Sequence, residues 1–118
     1  MKTNFANLEK QIKFEFKNQS LLLEAFTHKS FCIDNNKSKA HNERLEFLGD
    51  SVLNFIIANY LVSQFPQSAE GVLSKRRASL VNQTTLFEVA QALDIADSIL
   101  FGPGEVNQGS PSNPRILA

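Results

Sequence analysis

The stretch "HNERLEFLGDSVLNFIIANYLVSQFP" (residues 41–66) decides how this chain is read. Its apolar residues recur at helical rather than alternating spacing, and nothing interrupts them before Phe65-Pro66. Proline disfavours helix at the residue before it, so one long helix is predicted over about residues 42–64. Leu45, Leu48, Val52, Phe55 and Ile56 cover one side, and Leu53 and Ile57 continue along the other. A helix apolar nearly all round is expected to be central and buried.

Three carboxylates sit awkwardly in that picture. At ~100° per residue, Glu43, Glu46 and Asp50 fall within an arc of about 60°. The ordinary explanation is a solvated acidic stripe near a helix N-terminus, where the macrodipole favours acids. Burial changes the balance. Two carboxylates ~6 Å apart repel by roughly 0.7 kcal/mol in water and about 3 kcal/mol at an effective dielectric of about 20. Partly buried, the three acids need a cation, a shared proton or basic partners. Arg44 points about 100° away from Glu43 and is poorly placed to neutralise them all. A hard divalent cation such as Mg²⁺ takes all-oxygen ligation with retained waters. No histidine or cysteine shares this face, which argues against zinc.

Working outward, helical periodicity dominates and no convincing period-two alternation appears. A first helix is predicted over about residues 4–13, with Phe5, Leu8 and Ile12 on one side. Asn18 reads as an N-cap for "QSLLLEAFTH". The polar "DNNKSKA" (34–40) reads as a loop. "SAEGVLSKRRASLVN" gives another helix, with Gly71 as a possible irregularity. "QTTLFEVAQALD" gives the next, with Leu86, Val89, Ala90 and Leu93 as a core stripe. Residues 101–114 hold three of the five glycines and three of the four prolines, so they read as a loop. Asn113-Pro114 then has the form of an N-cap followed by proline at N1, opening a further helix with "RILA".

Composition bounds the answer. The 118 residues fit one small domain, which at this size buries about two thirds of its unfolded surface. Twelve basic and twelve acidic side chains balance, which argues against binding nucleic acid by bulk charge but leaves room for a basic patch. Cys32 is the single cysteine, so an intramolecular disulfide is excluded. It has no CxxC partner and reads as a small core residue. The N-terminus has no apolar h-region, and no run approaches the ~18–20 residues of a membrane span. The expectation is a cytoplasmic soluble domain with no membrane partner and no small-molecule cofactor.

"NERLEFLGDSVL" (42–53) resembles the signature of the ribonuclease III family, the double-stranded-RNA endonucleases. "LLLEAFTHKSF" (21–31) resembles its upstream THxS element, "EGVLSKRRASLVN" (70–82) its second block, and "LFGPGE" (100–105) its LGPGE element. The elements stand in the family's order and cover essentially the whole chain.

The resemblance implies an all-α endonuclease domain, a helical bundle working as a homodimer on double-stranded RNA. It implies hydrolysis with Mg²⁺ (Mn²⁺ as a substitute), leaving 5′-phosphates and two-nucleotide 3′ overhangs. Glu46 and Asp50 match direct metal ligands, and Glu43 matches the helix's other active-site acid. Glu70 matches an acid that supports the site across the dimer, and Phe47 an aromatic that inserts into the partner subunit.

The family's site also takes an Asp and a Glu from the helix that "RILA" opens, just beyond Ala118. The same holds for further dimer-face helices and the RNA-binding domain that usually follows. A partial domain is therefore expected, inactive alone, exposing an apolar patch and prone to aggregate.

Lys75, Arg76 and Arg77 form the densest basic run. They read either as a solvated helix face or as phosphate contacts that position a duplex without reading bases. His28, between Phe26 and Phe31, reads as a hydrogen-bonded structural histidine, and Asn82 as a helix-end cap. Glu105 could support the metal site indirectly. The phenylalanines read as core. Two other functions stay open: a non-catalytic RNA-binding module of the same fold, and a helical dimerisation module whose acids face solvent.

Overall fold

The computed structural model describes residues 5–34, 40–107 and 109–118, apart from the side chains of Ile33, Asp34, Glu105 and Asn107. The loop expected at 34–40 lies almost wholly outside them. The described residues form helices α1 (Ala6–Ile12), α2 (Gln19–Ala25), α3 (Lys29–Asp34), α4 (Glu43–Gln64), α5 (Glu70–Val81), α6 (Gln83–Ala92), α7 (Pro103–Asn107) and α8 (Pro114–Leu117). Two 3₁₀ turns, Ile95–Ser98 and Ser110–Ser112, join them, and Thr27 and Leu100 make one isolated parallel bridge. The all-α expectation holds.

Local chemistry sets most boundaries. Asn18 caps α2 by accepting the Leu21 N–H at 3.0 Å. Asn113 caps α8 by accepting the Arg115 N–H at 3.0 Å, with Pro114 at N1. Asn82 serves two helices: its oxygen accepts the Thr85 N–H at 2.8 Å to open α6. Its amide nitrogen donates to the Ala78 and Ser79 carbonyls at 3.1 and 3.0 Å to close α5. α4 stops at Phe65, as the following proline requires. α5 runs through Gly71 without a break.

Two helices escaped the sequence reading. α3 follows a histidine rather than a Ser, Thr, Asp or Asn cap. α7 begins at Pro103 inside the Gly/Pro-rich segment taken as loop, because proline at the first helical position costs nothing.

The core is small, and Cys32, Leu61, Ala90 and Leu117 are buried outside its main cluster. Phe5, Leu8 and Leu22 are its buried centre, packed by Ile12, Phe16, Leu23, Phe26 and Ile95. The Phe5 and Phe26 rings pack in a tilted arrangement, 5.5 Å between centroids. Other phenylalanines correct the reading of all Phe as core: Phe14, Phe47 and Phe55 are exposed. Val89 in the expected α6 stripe is also half exposed, while Ala90 is buried.

The largest correction concerns α4, expected to be central and buried. Only Leu61 is buried along it, and Leu48, Val52, Phe55, Ile56, Tyr60 and Val62 are exposed. These side chains form an uncovered apolar patch along α4. α4 also passes, by length and composition, for a membrane-crossing helix, with mean hydropathy 1.3. Asp50 is its only charge from Phe47 to Gln64, a run that the sequence reading judged too short.

Candidate functional site

α4 packs against α5, and α6 packs against both α5 and α8. This arrangement leaves a groove of about 800 Å³ beside the first turns of α4. Glu43, Glu46 and Asp50 all line it, so the three acids that share a helical face open onto one groove. Asn42, Leu45 and Leu53 of the same region contribute, as do Leu86 of α6 and Ile116, Leu117 and Ala118 of α8.

All three carboxylates are exposed. Their mutual repulsion therefore belongs near the aqueous end of the range, about 0.7 kcal/mol per pair at ~6 Å, not the buried end. The cluster is tolerable because water screens it and because Glu43 and Glu46 occupy the first turn of α4, where the helix dipole favours acids. The burial cost that first suggested a cation is absent. Asn54, one turn beyond Asp50, spends its amide on the Asp50 carbonyl at 2.9 Å and leaves the Asp50 carboxylate uncommitted by that contact.

Glu43 has a partner that the sequence reading missed. Lys29 Nζ lies 3.4 Å from Glu43 Oε1, with the two side chains 57% and 55% exposed. An ion pair so exposed is worth under about 1 kcal/mol, so it orients Glu43 more than it stabilises the fold. The signal for it was the Lys of "THKS", but no local rule joins residue 29 to residue 43.

Glu70 is not in the groove. It opens α5 after a five-residue linker, near the far end of α4 from Glu46. At ~1.5 Å per residue that is roughly 27 Å along the axis. Within one chain the two cannot share an ion. Among the described residues, no three His, Cys, Asp or Glu side chains come together as a metal-binding set. The groove does offer Glu46 and Asp50, oxygen donors only, with space for waters. Mg²⁺ is commonly held by one or two carboxylates plus waters and phosphate oxygens, so this donor set fits a hard divalent ion.

Among the basic residues, the Arg76 guanidinium stacks 4.2 Å from the centroid of the Phe65 ring, pinning α5 to the end of α4. That contact gives Arg76 a structural task beside any phosphate contact. Lys75 is exposed and Arg77 half-buried. Phe47, on the groove's edge, is 80% exposed. His28 is hydrogen-bonded to Ser30, and Cys32 is buried, as read from the sequence. The Glu105 side chain lies outside the description.

Residues 18–118 match the family model described as Ribonuclease-III-like. Ribonuclease 3 of Campylobacter jejuni is 44% identical over 115 residues, covering 98% of this chain and 49% of that protein. Ribonuclease 3 of Pasteurella multocida is 44% identical over 118 residues, covering 100% of this chain and 50% of that protein. A crystal structure of the nuclease domain of ribonuclease III from Campylobacter jejuni superposes with a TM-score of 0.87 at 44% identity. It covers 98% of this chain and 76% of the solved one. A second structure of that domain, described as flexible in a region involved in dimer formation, gives 0.88 at 45% identity, covering 97% and 76%. The chain spans about half the length of the curated relatives it matches. With the same helical fold and an ordered set of motifs across nearly its whole length, the chain belongs to the ribonuclease III family.

Proposed function

We propose that this chain is the acid-bearing part of a divalent-metal-dependent endoribonuclease domain acting on double-stranded RNA. The observation that carries the reading is the groove that gathers Glu43, Glu46 and Asp50 on α4, in the fold of a nuclease domain. Glu46 and Asp50 would hold Mg²⁺ or Mn²⁺, and Glu43, tethered to Lys29, would flank it. When bound, such an ion activates water and neutralises charge at a phosphodiester. The protein's part is positioning. Lys75 and Arg77 on α5, with Arg76 partly committed to Phe65, would contact backbone phosphates and set the duplex's register without reading its bases. The expected products carry 5′-phosphates and two-nucleotide 3′ overhangs, as the family resemblance implies.

A homodimer suits the same reading. Phe47 projects from α4 next to the groove, and the apolar face beside it is uncovered. Glu70, distant from the groove in its own chain, has a use if the two α4 helices run antiparallel in a pair. The Campylobacter jejuni domain described with a region involved in dimer formation supports this assembly. Two acids are also few for a complete hard-metal site. With Glu46 and Asp50 as its metal ligands in this groove, the 118 residues alone are thus expected to bind metal weakly and not to cleave.

Metal titration tests the proposal. Mn²⁺ or Mg²⁺ should raise the melting temperature of the chain, since a ligand that binds only the folded state stabilises it. Glu46→Gln and Asp50→Asn should each abolish the rise. A melting temperature indifferent to both ions would favour the non-catalytic module instead. Cleavage of long duplex RNA by the purified 118-residue chain would overturn the expectation that it is inactive alone.

A further inference from the structure

The short segment between α2 and α3 is a joint for parts of the chain far apart in sequence. The Thr27 carbonyl accepts the Asn42 N–H at 2.9 Å, and the His28 N–H donates to the Leu100 carbonyl at 2.9 Å. The Leu100 N–H donates back to Phe26 at 2.7 Å, completing the parallel bridge. Ser30, buried, accepts the Gly102 N–H on its Oγ at 2.9 Å.

His28 sets the direction of that hydroxyl. The Ser30 N–H donates to His28 Nδ1 at 3.2 Å, and Ser30 Oγ lies 2.8 Å from the same atom. A backbone donor aimed at Nδ1 requires a lone pair there, which makes the ring the Nε2–H tautomer. Ser30 Oγ–H then donates to Nδ1, and its lone pairs face Gly102. The ring itself rests on Phe101, with centroids 5.2 Å apart.

Two contacts run from this joint to the acid groove: Thr27 to Asn42, and Lys29 to Glu43. The Asn42 side chain makes no cap hydrogen bond, and the Glu43 N–H makes only a long 3.5 Å contact with His41 Nδ1. The first turn of α4 therefore leans on the contacts from Thr27 and Lys29. Asn42, Glu43 and Glu46 all line the groove.

We propose that His28 and Ser30 are positioning residues for the carboxylate groove. They lock the 100–102 segment to residues 27–30, and that lock sets the first turn of α4, from which Glu43 and Glu46 project. The inference rests on the groove being a divalent-metal site, where residues that orient ligands affect metal affinity by about 10–100-fold when removed.

Hydrogen exchange read by mass spectrometry, with Mn²⁺ titration at low micromolar chain concentration, tests it. Ser30→Ala leaves the buried Gly102 N–H without its acceptor. Amides of Gly102 and Asn42 should then exchange at least about tenfold faster while α6 is unchanged, and the Mn²⁺ dissociation constant should rise by about tenfold. His28→Asn retains an oxygen that can accept the Ser30 N–H as an N-cap does, and should keep most of the protection and affinity. His28→Leu should keep neither. Unchanged Asn42 exchange in Ser30→Ala, or indistinguishable His28→Asn and His28→Leu, would overturn the proposal. If the unsubstituted chain binds no Mn²⁺, the metal reading of the groove fails, and the exchange measurements alone still decide whether the lock exists.

Discussion

Asn82 closes one helix with its amide nitrogen and opens the next with its amide oxygen, through three hydrogen bonds of 2.8–3.1 Å. Asn82→Ala removes all three and should destabilise the chain by about 1–2 kcal/mol, read from urea unfolding. Asn82→Asp retains the acceptor for Thr85 and should recover part of the loss. The caps at Asn18, Asn82 and Asn113 were legible because a cap acts within a turn of itself. The pairing of Lys29 with Glu43 was not, since the thirteen intervening residues decide whether the two meet.

The elements behave the same way where local rules dominate. The α4 boundary at Phe65 and the α5–α6 break follow from proline and from Asn82. α3 and α7 were missed because their starts use unusual chemistry: an imidazole nitrogen ahead of α3, and a proline in a glycine-rich stretch for α7. On α5, neighbouring cations should separate by task. Arg76→Gln loses the stack on Phe65 and should cost about 0.5–1 kcal/mol of stability. Lys75→Gln should leave stability unchanged. If Lys75 contacts phosphate, it should also flatten the salt dependence of duplex-RNA binding by a slope of about one. Both are measurable on one preparation, by thermal melts and by binding at several salt concentrations.

At the scale of the whole molecule, the radius of gyration is 16.3 Å and the extents are 53 × 31 × 25 Å. A compact domain of this length would have about 13.5 Å. The excess fits a small core and a long helix, α4, whose apolar side is uncovered. Phe47 at 80% and Phe55 at 71% exposure, with Leu48, Val52 and Ile56, form a patch of the kind that marks an interaction surface or an aggregation liability. Sedimentation should therefore show self-association that rises with concentration. Phe47→Ser with Phe55→Ser should shift the chain toward monomer without lowering its helical content, because neither ring is in the core.

The residues by themselves determined the helical class, the span of α4 and the sharing of one face by Glu43, Glu46 and Asp50. Periodicity, capping and proline act over a few residues, and those are all present in the string. The placement of Glu70 at the opposite end of α4, the tether from Lys29 and the commitment of Arg76 to Phe65 were decided only in three dimensions. So was the exposure of α4, because apolar residues all round a helix state what could be buried there, while the packing of other segments determines what is.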